Sequence, residues 1–308
     1  MSNAAHATTD GSAATAVGII PAGYRLPAEL RLGEVRLQIA DLARSLDYYQ
    51  RVLGMRVLER DATSATLGAY DDPAPLVRLY ERRGVAPAPQ QGLVGLYHFA
   101  ILLPDRAALG RFVEHLAEIG ARAGASDHLV SEALYLRDPD GLGIEVYADR
   151  PRNEWRAVDR QITMATEPLD LADVVAAAKG EKWTGMPRGT RMGHVHLHVG
   201  DIERASAFYH AALGLDRMVW NYPGALFLAA GGYHHHLGLN TWAGANARPA
   251  TEHDARLLEW RIVLPRDHVA HARESVEGAG HAVTQTDEGW RVADPWGTVL
   301  HVVTDSGA

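Results

Sequence analysis

The 308-residue chain contains no cysteine. That absence removes disulfides, thiolate metal sites, iron–sulfur ligation and a cysteine nucleophile together, leaving histidine and carboxylate as the strong metal ligands. Long apolar runs are missing too: no stretch approaches the ~20 residues of a membrane-spanning helix. No Lys/Arg cluster forms a phosphate-binding stripe, and the net charge of −8 is spread along the chain, so neither a membrane nor a nucleic acid is an expected partner. The Ala/Ser/Thr-rich start lacks a charged segment followed by an apolar core, and residues 1–27 are expected to form a flexible tail on a cytoplasmic protein. What is present in quantity is histidine, 16 residues, and apolar side chains, 47 %. Two domains are expected at this length, because single cores rarely grow past ~250 to 300 residues.

A repeat organises the chain. Val35-Arg36-Leu37-Gln38-Ile39-Ala40-Asp41-Leu42-Ala43-Arg44 recurs as Val195-His196-Leu197-His198-Val199-Gly200-Asp201-Ile202-Glu203-Arg204, and the match runs on through Tyr49/Tyr209 to Leu53-Gly54/Leu213-Gly214. In each copy an alternating run gives way to helical spacing: Leu42, Leu46, Tyr49 and Leu53 line one helix face, and Gly54 and Gly214 suit its C-terminus. Short strand-like runs follow, broken by Asp, Pro and Gly. A second pair of copies joins Ile101-Leu102-Leu103-Pro104 and Asp138-Pro139-Asp140-Gly141 to Ile262-Val263-Leu264-Pro265 and Asp294-Pro295-Trp296-Gly297. Four βαβββ units result, beginning near Gly33, Leu96, Gly193 and Leu257. The expected fold class is α+β, with units one and two in a domain over 28–150 and units three and four in a domain over 191–308. Residues 151–190 connect them and carry a helix from Leu169 to Lys179. The Asp138–Gly141 string reads as turn chemistry and nothing more.

Four such units, each opening with a strand and an Asp–Arg pattern before a Phe/Tyr-bearing helix that ends in Leu-Gly, resemble the vicinal-oxygen-chelate superfamily. That superfamily includes glyoxalase I, bleomycin-resistance proteins and type I extradiol dioxygenases. The resemblance covers about residues 30–305 and implies cup-shaped, barrel-like mixed sheets, but a fold does not choose a function. It also implies metal ligands at the start of a unit's first strand and near the end of its last. Those positions hold His98, His194 and Glu145, with Glu34, Glu259 and His301 at the equivalent spots of units one and four. Two sets therefore stand open: His98, His194 and Glu145 from units two and three, or His194, Glu259 and His301 from units three and four. The first is a 2-His-1-carboxylate set of the kind that binds non-haem Fe(II) with positions to spare. Glu145 also stands between Ile144 and Val146, where a carboxylate costs stability unless a charge or a metal compensates.

Further residues resemble the extradiol enzymes. Tyr135, ten residues before Glu145, matches a tyrosine that bonds the catechol oxygen, and His128 precedes it by seven. The run His234-His235-His236-Leu237-Gly238-Leu239 resembles that family's paired-histidine strand, which makes His235 the acid/base and His236 the fallback. Strings such as Gly193-His194-Val195-His196-Leu197-His198-Val199 resemble bacterial catechol 2,3-dioxygenase-like proteins. The implied reaction is extradiol cleavage of a catechol-type aromatic by O2 at Fe(II), to a ring-opened semialdehyde. The partners are then a small aromatic and O2, and whether the chain forms a homo-oligomer stays open. The alternatives are a glyoxalase-like isomerase or lyase on Zn, Ni or Mn, which normally wants a fourth protein ligand, and a non-catalytic binder of a small aromatic or drug.

Overall fold

The computed structural model describes residues 17–305. Each of the four units is a strand, a helix and three more strands. The first strand pairs in parallel with the fourth, and the fourth, third and second form an antiparallel meander. The first strands are Arg31–Ile39, Leu93–Leu102, Arg191–His198 and Arg256–Leu264. Aspartate sets where the helices begin. The side chains of Asp41, Asp105 and Asp201 accept from the backbone N–H of Arg44, Ala108 and Arg204 at 2.9, 2.7 and 2.7 Å, so the Asp of the repeat is a helix cap. Gly54 and Gly214, at φ of 71° and 102°, end the helices of units one and three in the left-handed region that a side chain disfavours.

Units two and three share one sheet, and units four and one share the other. In each sheet the two first strands pair antiparallel at the centre: Leu93–Leu102 with Arg191–His198, and Arg31–Ile39 with Arg256–Leu264. The sheets therefore do not follow the sequence halves 28–150 and 191–308. The repeat defines a unit but not its partner, because all four first strands carry similar apolar alternation. The halves are tied in another way. Tyr49 Oη donates to Asp138 at 3.3 Å and Arg44 pairs with Asp140 at 2.5 Å, joining unit one to unit two; Tyr209 Oη donates to Asp294 at 2.9 Å, joining three to four. The Asp138–Gly141 string is thus more than a turn. Both of its carboxylates are buried, and burial pushes Asp138 up to about 7.

Two other expectations are corrected. The segment 17–27 is docked: Leu26 is buried with its N–H on Gly214 O, Ile19 pairs with Arg217, and Arg25 grips Asp216 at 2.6 and 2.9 Å. An apolar residue and a buried carboxylate give these residues a place on unit three. Residues 1–16 of the expected tail lie outside the described residues, as do 306–308. The helix expected over Leu169–Lys179 is Leu171–Ala177, capped by Asp170 and ended where Lys179 and Gly180 both take positive φ. Among the described residues no helix is long and apolar enough to cross a membrane.

Candidate metal centre

Ala100 lies at the middle of the site. On one side it pairs with His194, next to a register break after Met192; on the other it pairs with Glu145. His98 stands two residues earlier on the same strand and so faces the same way. A methyl between two long side chains leaves room for all three to converge. His98 Nε2 lies 3.0 Å from Glu145 Oε2, His194 Nε2 lies 3.2 Å from the same oxygen, and the two nitrogens are 3.3 Å apart. At metal–ligand distances of about 2.1 Å, two ligand atoms at right angles are about 3.0 Å apart and at a tetrahedral angle about 3.4 Å. The triangle fits one mononuclear ion bound on one face.

The chemistry of the donors agrees. Burial is the largest influence on both imidazoles and pushes them below the ordinary histidine value, toward the neutral, ligating form. Burial also opposes the Glu145 charge, but His194 and His98 outweigh it and hold the carboxyl well below its usual range. His194 Nδ1 is buried with no hydrogen-bond partner among the described residues, a cost that neighbouring protein groups do not offset. A cation on the three convergent atoms would compensate the buried Glu145 charge and the imidazole lone pairs that face it. These three residues are a cluster of metal-ligating geometry: His98, Glu145 and His194, all buried.

A cavity of about 240 Å³ opens over the triad. Tyr135, cross-strand from Glu145, and His128 both line it. The Tyr135 phenol is held well above its ordinary value by burial first and the Glu145 charge next, so it is an O–H donor. His128 Nδ1 bonds the Ala165 carbonyl at 2.6 Å and therefore carries hydrogen, leaving Nε2 to accept from Tyr135 Oη at 2.6 Å. His235 reaches the same cavity, its ring centroid 4.0 Å from that of His194. Burial pushes it well below the ordinary histidine value. The three-histidine run is not in a strand: it lies in the turn before Leu237–Asn240, where the positive φ of Gly231 and Gly232 turns the chain. There His236 points elsewhere, accepting the Ala230 N–H, and His234 is wholly buried behind His235.

Other wall residues were not singled out from the sequence. Tyr97, Phe227, Tyr222 and Trp242 make the wall aromatic, and Met164, Ala165 and Thr166 bring the connecting segment across it. Phe227 alternates with Leu226 and Leu228 on its strand, a signal that was readable; Tyr97 reaches the cavity beside its neighbour His98 because the strand pairing skips it at a bulge, and Met164–Thr166 sit in irregular chain, so neither gave one. His196 lines the cavity but its Nε2 accepts from Asn240, and His198 donates to the same amide, so neither joins the triad. The equivalent position in the other sheet is filled differently. Glu259 and His301 bond each other at 3.1 Å, while Arg36, Arg261 and Arg291 pair with Glu259, and Arg36 also pairs with Glu34. Fixed positive charge there takes the place that a metal would need. A larger cavity of about 850 Å³ shares no lining residue with the site and is walled mainly by acids and arginines.

The profile of the glyoxalase/bleomycin resistance protein/dioxygenase superfamily matches residues 31–146 and 191–300. The chain belongs to this superfamily. A superfamily relative, catechol-2,3-dioxygenase of Bacillus subtilis (strain 168), is 44 % identical over 272 residues, which span 87 % of this chain and 94 % of the relative. Among solved structures the superfamily fold recurs in a Bacillus subtilis protein provisionally named a dioxygenase (TM-score 0.64, 12 % identity, 92 % of this chain and 87 % of that one). It recurs again in glyoxalase I from Zea mays (TM-score 0.54, 20 % identity, 90 % and 92 %). At those identities the two structures speak for the fold alone.

Proposed function

We propose that the protein is an extradiol dioxygenase that cleaves a catechol-type aromatic with O2 at a single Fe(II) held by His98, His194 and Glu145. The observation that carries this reading is the convergence of three ligating atoms, 3.0–3.3 Å apart, beneath a small aromatic-walled cavity that also presents Tyr135 and His235. The relative named catechol-2,3-dioxygenase supports it. A bound iron supplies the redox centre at which a catechol and O2 meet.

The chain's own residues supply the rest. The aromatic wall of Tyr97, Phe227, Tyr222 and Trp242 takes the substrate ring and keeps water from it. Tyr135 Oη, whose hydrogen goes to His128, itself anchored by the Ala165 carbonyl, offers its lone pairs to a substrate hydroxyl and fixes its orientation. His235 is neutral and takes or returns the proton that the reaction moves. An isomerase on Zn, Ni or Mn is the competing reading, and the cluster offers it three protein ligands.

Elemental analysis of untagged protein tests the metal assignment. About one equivalent of metal per chain is expected for the wild type and none after Glu145→Ala. Full metal content in that variant would contradict the assignment.

A further inference from the structure

His234 does not touch the cavity, yet it is wholly buried and bonded at both ring nitrogens. Its Nδ1 is 2.7 Å from His235 Nδ1, and its Nε2 is 3.0 Å from Asp149 Oδ1. The same carboxylate oxygen receives the Tyr233 hydroxyl at 3.1 Å, and Tyr147 Oη lies 2.7 Å from Tyr233 Oη. For a neutral His234 the direction of each bond follows. A carboxylate only accepts, so His234 Nε2 carries hydrogen. In a neutral imidazole the other nitrogen, Nδ1, then has a lone pair. Two Nδ1 atoms 2.7 Å apart need one hydrogen between them, and His235 has to provide it. His235 is thereby left with its lone pair on Nε2, which makes no hydrogen bond among the described residues. Phe227 and His194 pack against the His235 ring at 5.0 and 4.0 Å between centroids and hold its plane.

We propose that Asp149 and His234 are positioning residues that lock His235 in the Nδ1–H tautomer, so that Nε2 is the nitrogen offered to the substrate. The inference rests on the ring-cleavage reading of the cavity. An isolated neutral histidine divides between two tautomers, and only one leaves an acceptor facing the reacting atoms. The arrangement also joins the two functions of one strand: Gly143–Asp149 carries the ligand Glu145 and, four residues on, the carboxylate that orients His235. Asp149 lies in the wall of the 850 Å³ cavity and not of the substrate cavity, so a change there removes no substrate-facing side chain.

Two readouts test the proposal on the full chain. The first is the ¹⁵N ring spectrum of histidine-labelled, zinc-loaded protein. Wild type is expected to show His235 protonated at Nδ1, and His234→Phe or Asp149→Ala to move the proton wholly or partly to Nε2. A wild-type His235 protonated at Nε2 would overturn the proposal. The second is steady-state kinetics of iron-loaded protein with a catechol. His234→Phe is expected to lower kcat roughly 10- to 100-fold, the scale of lost outer-shell partners, with KM and iron content unchanged. His234→Gln should recover most of the loss, because its amide can accept from His235 and donate to Asp149. A kcat in His234→Phe equal to wild type, or a glutamine no better than phenylalanine, would also overturn it. A wild type inert toward every catechol defeats the ring-cleavage reading, while the tautomer spectrum still decides the role of His234.

Discussion

A carboxylate 2 % exposed and two neutral imidazoles with facing nitrogens form a poor arrangement for a protein without a cation. Removing one ligand and removing the proposed acid/base should therefore differ in kind. His98→Ala or His194→Ala is expected to lose bound metal, while His235→Ala keeps its metal and loses turnover by about 10²- to 10⁴-fold; metal content and kcat measured on the same preparations check both. His236 makes a separate prediction. Burial pushes it down to about 3, and its Nδ1 accepts the Ala230 N–H, which a charged ring could not do. The unfolded chain binds a proton there near the ordinary value of 6.5 and the folded chain does not, so stability is full above 6.5 and falls as the pH drops from there to about 3. This group contributes a slope of about 1.4 kcal/mol per pH unit in that window. Urea midpoints from pH 7 to 4 should flatten in His236→Gln relative to wild type. At this scale the triad was legible because the repeat set His98 and His194 at one position of the motif. The rival set containing Glu259 and His301 met the same positions of the motif, and only the resemblance carried by Tyr135 spoke against it. What removes it, the convergence of Arg36, Arg261 and Arg291 from three strands, is invisible along the chain.

Among the elements, the first strands and the helix starts were readable because alternation and a capping aspartate are local properties. The turn around His234–His236 was not, since the side that each ring faces depends on two glycines at positive φ and on the strands either side. Gly193, next to a ligand, is constrained from across the sheet: a Cβ there would stand 1.9 Å from Tyr147 Oη. Gly193→Ala should cost about 1 to 3 kcal/mol, the usual penalty of overpacking, visible as a lower urea midpoint. An unchanged midpoint would mean that Tyr147 is not held where the Tyr233–Asp149 chain places it. The connecting segment was expected only to connect. Its Ala165 carbonyl anchors His128, and Met164 and Thr166 close the cavity, which irregular chain without periodicity could not announce.

Over the whole molecule, four copies of one unit produce two sheets with unequal contents. One holds the triad; the other replaces it with arginine–glutamate pairs, so one metal per chain is expected rather than two. The sequence supported four units but not their pairing, because strands with similar alternation can pair in either way. The site cavity has no lysine or arginine in its wall to offset a buried substrate carboxylate. Uncharged catechols are therefore expected to show kcat/KM values well above those of carboxylated ones, and the reverse order would mean that a cation from outside the wall reaches the substrate. The central claim is tested most directly by oxygen uptake of untagged protein, loaded anaerobically with Fe(II) and then given catechol in air. The account predicts consumption of one O2 per ring-opened product, abolished by His235→Ala. No uptake by protein that carries a full equivalent of iron would contradict it.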